Sequence, residues 1–244
     1  MAVALTTKPK APRRKKAPSA APPLASPPVG DLQRVPMTYE DYLDRFGEDG
    51  IIEWANGEAL IHMPPSTRHQ NVGDFVLAVL RQYVEFLRLG QVLSAPFEMK
   101  LGEGKASREP DILFLARENL DRLTDQRLIG PADLAVEVVS PSTAAHDRAT
   151  KFEEYQEAGV REYWLIDPRP GKDRVDFWVL GGDGCYRPVP LDENGIYRST
   201  VVPGFWLDAG WLREPKLPEV LFTLAKILDW PEDIVARLRA MQGA

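Results

Sequence analysis

The stretch from Asp133 to Pro168, DLAVEVVSPSTAAHDRATKFEEYQEAGVREYWLIDP, reads as strand, polar turn, short amphipathic helix and second strand. Its opening apolar run (Leu134, Ala135, Val136, Val138, Val139) carries one carboxylate, Glu137, in its middle. An acid in such a run is costly to bury unless it is paired or holds a metal. After the Ser-Pro-Ser-Thr turn, Ala149, Phe152, Tyr155 and Ala158 recur at near-helical spacing, and Gly159 stands just past the end. The second strand, Glu162 to Asp167, closes at Pro168. Upstream, Glu109-Pro110-Asp111 introduces another apolar run, Ile112 to Ala116, headed by its own acid.

Consecutive strands usually adjoin, so Asp111 and Glu137 are expected to converge at one edge of a sheet, with Lys151 on the helix behind them. Two acids that close repel, and one must take up a proton or share a cation. Hard oxygen ligands of this kind suit Mg²⁺ or Mn²⁺, with water in the remaining positions. An ammonium beside them can orient an attacking water or stabilise a phosphate in transition. Each residue also has a plainer reading. Asp111 after Pro110 serves as a turn residue, Glu137 faces solvent on a one-sided sheet, and Lys151 pairs along its helix with Asp147 or Glu154. Ala135 and Val139, on the same face as Glu137, argue against the solvent reading.

Working outward, Thr38-Tyr39-Glu40-Asp41 resembles a helix start with acids in the first turn, predicting a short helix to about Phe46. Ile51–Trp54 and Glu58–Met63 flank Asn56-Gly57, a strong hairpin signal. Ser66 or Thr67 caps a long helix reaching Leu89, whose stripe runs through Val72, Phe75, Val76, Val79, Leu80, Tyr83, Val84 and Leu87, with Gly90 as its stop. A strand is predicted from about Gln91 to Leu101, and a helical turn over Glu118–Leu123. Arg174–Leu180, Tyr186–Val189 and Ile196–Val202 continue as a meander, before two helices over Pro218–Leu228 and Pro231–Met241. Together these predict an α/β (α+β) fold: a mixed central β-sheet flanked by helices, with peripheral hairpins.

Composition is that of an ordinary globular protein, 44% hydrophobic and 27% charged over 244 residues. No apolar run reaches the length of a membrane span. One cysteine, Cys185, rules out an internal disulfide and fits a reducing, cytoplasmic setting. There is neither a Cys/His zinc pattern nor a Gly-rich phosphate loop. Net charge is −6, yet the first 30 residues carry six Lys or Arg and no acid, leaving about −12 for the rest. Residues 1–32, rich in Ala, Pro, Lys and Ser, are expected to be disordered: a basic arm for nucleic acid or a solubilising tail. Residues 33–244 form one domain, with the helices from about 216 as an extension. The acidic body is a poor general surface for DNA, so contact with DNA must rest on a local groove, the basic tail or bound cations.

Residues from about Met37 to Leu212 resemble the Uma-type restriction endonuclease family, a branch of the PD-(D/E)XK nuclease superfamily. Pro110-Asp111 matches its "PD", Glu137 in AVEVVSPST its acid on the next strand, and Lys151 a lysine that in this branch sits on the following helix. Val139 stands where the wider superfamily has that lysine. Glu53 with Gly57-Glu58, Pro65-Ser66 with His69, and Ala95-Pro96-Phe97-Glu98 match further family patterns, with Asn56 in place of the usual Asp. The resemblance implies a restriction-endonuclease-like core and metal-dependent hydrolysis of DNA phosphodiester bonds, with Mg²⁺ (or Mn²⁺) as cofactor. It implies Asp111, Glu137 and the Val138 carbonyl as ligands, and Lys151 as the charge-stabilising group. Glu53 and Glu98 become accessory acids, and His69 a phosphate contact or a locally bonded helix-start residue. His62 and His146 read as structural. The resemblance also implies a homodimer. Two rival readings remain: a nuclease-like fold that binds DNA without cleaving it, and a partner-binding protein with Trp206 and Trp211 at an interface.

Overall fold

The computed structural model describes residues 33–38, 41, 45, 52–55, 58–61, 66–103, 105–140, 144, 147–172 and 174–242. The basic tail, nearly all of the short helix expected after Thr38, the Asn56-Gly57 turn, His62 and His146 lie outside the described residues.

The central sheet has six strands in the order β12 (Tyr186–Pro188), β11 (Arg174–Leu180), β10 (Glu162–Asp167), β9 (Leu134–Val138), β7 (Ile112–Ala116) and β4 (Gly90–Ser94). β9 and β10 are parallel and every other pairing is antiparallel, so the sheet is mixed. Three small sheets surround it. One is β1 (Gln33–Pro36), β3 (Glu58–Ile61) and β2 (Ile52–Ala55). Another is β6 (Ser107–Arg108), β5 (Glu98–Lys100) and β8 (Arg127–Ile129). The third is β13 (Ile196–Arg198) with β14 (Trp206–Asp208).

Strand alternation sorts the core into two faces. Ile112, Phe114, Leu134, Val136, Val138, Trp164, Ile166 and Phe177 point to one face, under α1 (Thr67–Leu87). That helix buries Val72, Phe75, Val76, Val79, Leu80, Tyr83 and Val84, the stripe its sequence predicts. α3 (Val220–Ile227) packs behind it. Leu113, Leu115, Ala135, Val139, Tyr163 and Leu165 point to the other face. There α2 (Phe152–Ala158), the crossover between β9 and β10, supplies Phe152 and Tyr155 to an aromatic cluster with Tyr163, Trp178 and Tyr186. The last helix, α4 (Glu232–Gln242), buries no residue.

Three expectations change. The single strand over Gln91–Leu101 is two, β4 and β5, because the chain breaks at Ala95-Pro96 and Pro96 has no N–H for a ladder. The meander expected beyond β12 leaves the central sheet, and among the described residues β13 pairs only with β14. Trp206 and Trp211 are half-buried rather than free. Their rings lie 5.4 Å apart, with the Lys226 ammonium 5.6 and 5.2 Å from the two centroids.

The end of α1 shows what Gly90 does. The helix is capped by Arg88 in the left-handed conformation, φ 56°, before Gly90 is reached. At Gly90 a Cβ would stand 2.0 Å from the Leu115 carbonyl oxygen, so the residue allows β4 to lie against β7. Gly90→Ala is therefore expected to destabilise the fold by about 1–3 kcal/mol, the usual cost of overpacking. A urea-denaturation midpoint equal to that of the parent protein would refute this.

Candidate active site

β7 and β9 run antiparallel with Ile112 opposite Val136, so one step further along Asp111 stands opposite Glu137. Directly opposed residues share a face, and both acids lie on the aromatic side of the sheet, under the crossover. Glu137 is 2% exposed, while Asp111 is half-buried at the strand's mouth. The Asp111 Oδ2 accepts from the Val138 N–H at 2.6 Å, which fixes its carboxylate against β9. N–H and C=O of one strand residue point to the same side, so the Val138 carbonyl also faces β7. It accepts from His69 Nε2 at 2.7 Å.

The crossover brings the cation. Within it a π-helical turn, Asp147–Lys151, runs straight into α2. Such wide turns recur at functional sites because they re-aim side chains that a regular helix would place elsewhere. Tyr163 Oη donates to the Asp147 carbonyl at 3.1 Å, and Arg148 reaches Asp167 and Asp176, both at 3.0 Å. Held at these points, the turn sends Lys151 inward, its side chain 14% exposed. Lys151 Nζ donates to Glu137 Oε2 at 2.8 Å and lies 3.1 Å from Asp147 Oδ1. Tyr155, one turn on, donates its hydroxyl to Glu137 Oε1 at 2.7 Å. Both oxygens of the buried carboxylate are thus engaged, and the solvent-facing reading of Glu137 gives way. Lys151 does pair with Asp147 along its helix, as its plainer reading expects, but it bonds Glu137 as well, while Glu154 pairs with Arg108.

Glu137 and Asp147 therefore contact one ammonium, and Asp111, opposite Glu137 on the next strand, adds a third acid to its field, a formal excess of two negative charges. The electrostatics follow from that count. Burial pushes the Glu137 carboxyl up to about 8; the Lys151 ammonium opposes that rise, and repulsion from Asp111 and Asp147 adds to it. Burial also raises Asp111, although Lys151, the Val138 N–H and His69 oppose it. Lys151 moves the other way from a buried amine left alone. Desolvation would lower it, yet the carboxylates hold it above its usual range, so it stays charged.

Two other acids show that burial alone does not make a site. Asp133 accepts from the Ala116 N–H, Asn119 and Arg161. Glu162 accepts from Trp164 Nε1, the Thr200 N–H and hydroxyl, and the Val201 N–H. Both are satisfied by donors that tie loops to strands, and neither has a carboxylate opposite it.

The remaining sequence candidates lie elsewhere. Glu98, on β5, accepts from Ser107 at 2.7 Å and pairs with Arg127 at 3.1 Å. Glu53 is placed by its backbone alone, opposite Leu60 in a peripheral sheet. His69 has its own backbone N–H on the cap, Ser66 Oγ, at 3.2 Å. Its ring touches the centre through Val138, and Nδ1 is buried without a hydrogen-bond partner. Two contributors were not assigned from sequence: Asp147, four residues before Lys151, and Tyr155, four after it. Tyr155 fits equally well in an apolar stripe, so only the position of its hydroxyl reveals the second role.

Hard oxygen donors on adjoining strands, a main-chain carbonyl beside them and two unbalanced negative charges suit a small divalent cation. Among the described residues no three His, Cys, Asp or Glu side chains are placed to hold a metal. A cation here would keep several waters, as Mg²⁺ does where one or two carboxylates bind it.

No curated protein matches the chain. Among solved structures, a "putative nuclease belonging to DUF820" from Anabaena variabilis aligns with a TM-score of 0.54 at 18% identity, covering 70% of this chain and 96% of that one, which shows a shared fold. A family described as "Uma2: Putative restriction endonuclease" matches residues 37–210, a span that holds Asp111, Glu137, Asp147 and Lys151 together. With most of its length inside that match, the chain belongs to the Uma2 restriction endonuclease family.

Proposed function

We propose that the protein is a divalent-metal-dependent endonuclease that hydrolyses DNA phosphodiester bonds by direct attack of water, with Asp111, Glu137 and Lys151 as its central residues. The observation that carries this reading is the charge imbalance: Glu137 and Asp147 on one ammonium, with a third acid, Asp111, opposite Glu137 on the adjoining strand. Family membership supports the same chemistry.

Asp111 and Glu137, with the Val138 carbonyl, are the residues that would hold Mg²⁺ or Mn²⁺. A bound divalent cation supplies Lewis acidity toward a phosphate oxygen and acidifies water. Tyr155 holds Glu137 in one rotamer, and the Val138 N–H does the same for Asp111, so the ligand oxygens need little reorganisation. The Lys151 ammonium supplies positive charge where a phosphate gains negative charge during attack, an effect amplified where water is scarce. The aromatic cluster below the pocket keeps bulk water from its floor.

The proposal predicts how stability depends on pH without metal. The folded chain keeps its Glu137 proton up to about 8, whereas the unfolded carboxyl releases it near 4.5. Between those values the folded state binds more protons, so stability falls as pH rises through that window. In EDTA-treated protein, thermal midpoints should drop from pH 5 to pH 8. Glu137→Gln should flatten the drop, and saturating Mg²⁺ or Mn²⁺ should reduce it. Equal slopes in parent and variant would contradict the assignment.

Activity gives the direct test. Purified protein with Mg²⁺ or Mn²⁺ should cleave at least one of supercoiled, linear or single-stranded DNA. Asp111→Ala, Glu137→Ala and Lys151→Ala should each reduce cleavage by about 10²–10³-fold or more. If calorimetry shows the ion bound while all three substrates stay intact, the hydrolytic reading fails and a DNA-binding module remains.

A further inference from the structure

Asp147 counts toward the charge of the site but has been given no role of its own; it is 1% exposed and its Oδ1 lacks a well-aligned hydrogen bond. Its recorded partner on that oxygen is the Lys151 ammonium, at 3.1 Å against 2.8 Å for Glu137 Oε2. A buried carboxylate oxygen at ion-pair distance, but not in hydrogen-bond geometry, is an acceptor left partly unused. Such a group is costly to keep unless another state of the site engages it.

We propose that Asp147 is a positioning residue that gives the Lys151 ammonium a second station, so that Glu137 Oε2 can turn from the lysine to a divalent cation without losing it from the site. The inference rests on the metal-dependent reading above. With Glu137 Oε1 already bonded to Tyr155, its Oε2 is the oxygen Lys151 occupies, and a cation binding there competes with Nζ. Two cations on one carboxylate oxygen repel, so the ammonium must shift. Bulk water is the expensive destination, because it leaves Asp147 buried and unpaired. A shift of Nζ onto Asp147 keeps one ammonium with one carboxylate and leaves Asp111 and Glu137 facing the divalent ion, so no charge is stranded.

The backbone is built for a small motion of this kind. Tyr163 pins the Asp147 carbonyl, and Arg148 anchors the next residue to Asp167 and Asp176. Asp147 therefore stays fixed while the flexible stem of Lys151 moves. A direct ligand role for Asp147 is not supported, since the described residues offer no set of three acids or histidines placed around one point.

The test is a crystal structure of the full-length parent protein soaked with Mn²⁺, whose anomalous signal locates the ion, paired with calorimetric Mn²⁺ titration of Asp147→Asn. The proposal expects an ion between Asp111 and Glu137, with Nζ off Glu137 Oε2 and in an aligned hydrogen bond to Asp147. It also expects Mn²⁺ affinity to fall by about 10–100-fold in Asp147→Asn, the usual range for residues that support metal ligands. In cleavage assays that variant should lose kcat while KM for DNA is unchanged. An ion bound with Nζ still on Glu137, or one ligated by Asp147 itself, overturns the second station but leaves the metal-dependent reading standing. No ion at Asp111 and Glu137 at saturating Mn²⁺ overturns both. The soak uses unaltered protein, so it decides the matter even if Asp147→Asn does not fold.

Discussion

Everything distinctive in this molecule follows from one carboxylate placed where a sheet wants an apolar side chain. Glu137 sits in a strand whose other residues are all buried, and its neighbours on the same face, Ala135 and Val139, belong to the core. Removing a carboxylate from water costs several kcal/mol even after a protein relaxes around it. The crossover that follows β9 answers that cost locally. Within 18 residues of the acid it returns Lys151 and Tyr155 to the two oxygens. The same connection would be needed to join parallel β9 and β10 in any case, so the site occupies a segment the topology already requires.

The two faces of the sheet divide the work. Under α1 the contacts are apolar, and the polar group that enters, Glu162, is closed off by donors from Trp164, Thr200 and Val201. Under the crossover the aromatic rings stop short of the strand ends, and there the acids collect. His69 links the two sides: it begins α1 on one face, and its ring reaches the Val138 carbonyl beside Asp111. The long helix thus positions the site's main-chain edge, while the short one positions its charges.

Much of this was legible in the sequence because the strongest signals were periodic. The stripe of α1 could be read residue by residue, and an acid inside an apolar run stood out without any partner in view. Asp111 could be placed beside Glu137 because adjacent strands usually pair. What failed were features set by contacts distant in the chain. Gly90 looks like a helix stop, but its real constraint is the Leu115 carbonyl across the sheet. Glu98 reads in sequence as an unpartnered acid, and only the fold brings Arg127 and Ser107 beside it. Asp147 and Tyr155 occupy helix positions where a solvent-facing acid and a core aromatic would look the same. Only the π-helical turn and the inward hydroxyl separate those cases.

The position of the lysine can be argued from the same packing. In the wider superfamily it lies on the strand, two residues beyond the acid; here that place is Val139, fully buried against the aromatic cluster beneath the crossover. A lysine there would put its stem among Phe152, Tyr155 and Tyr163 with no route to water, and its charge would have to be satisfied wholly inside. From the helix, Lys151 approaches the same carboxylate from above and keeps a little solvent contact, while its methylenes cover apolar surface. The exchange is between equivalent charges delivered along different backbones, since either element brings an ammonium to Glu137. With the strand position given over to valine, the core under the site can close, and that closure is what keeps the dielectric low enough for a single ammonium and a pair of acids to matter.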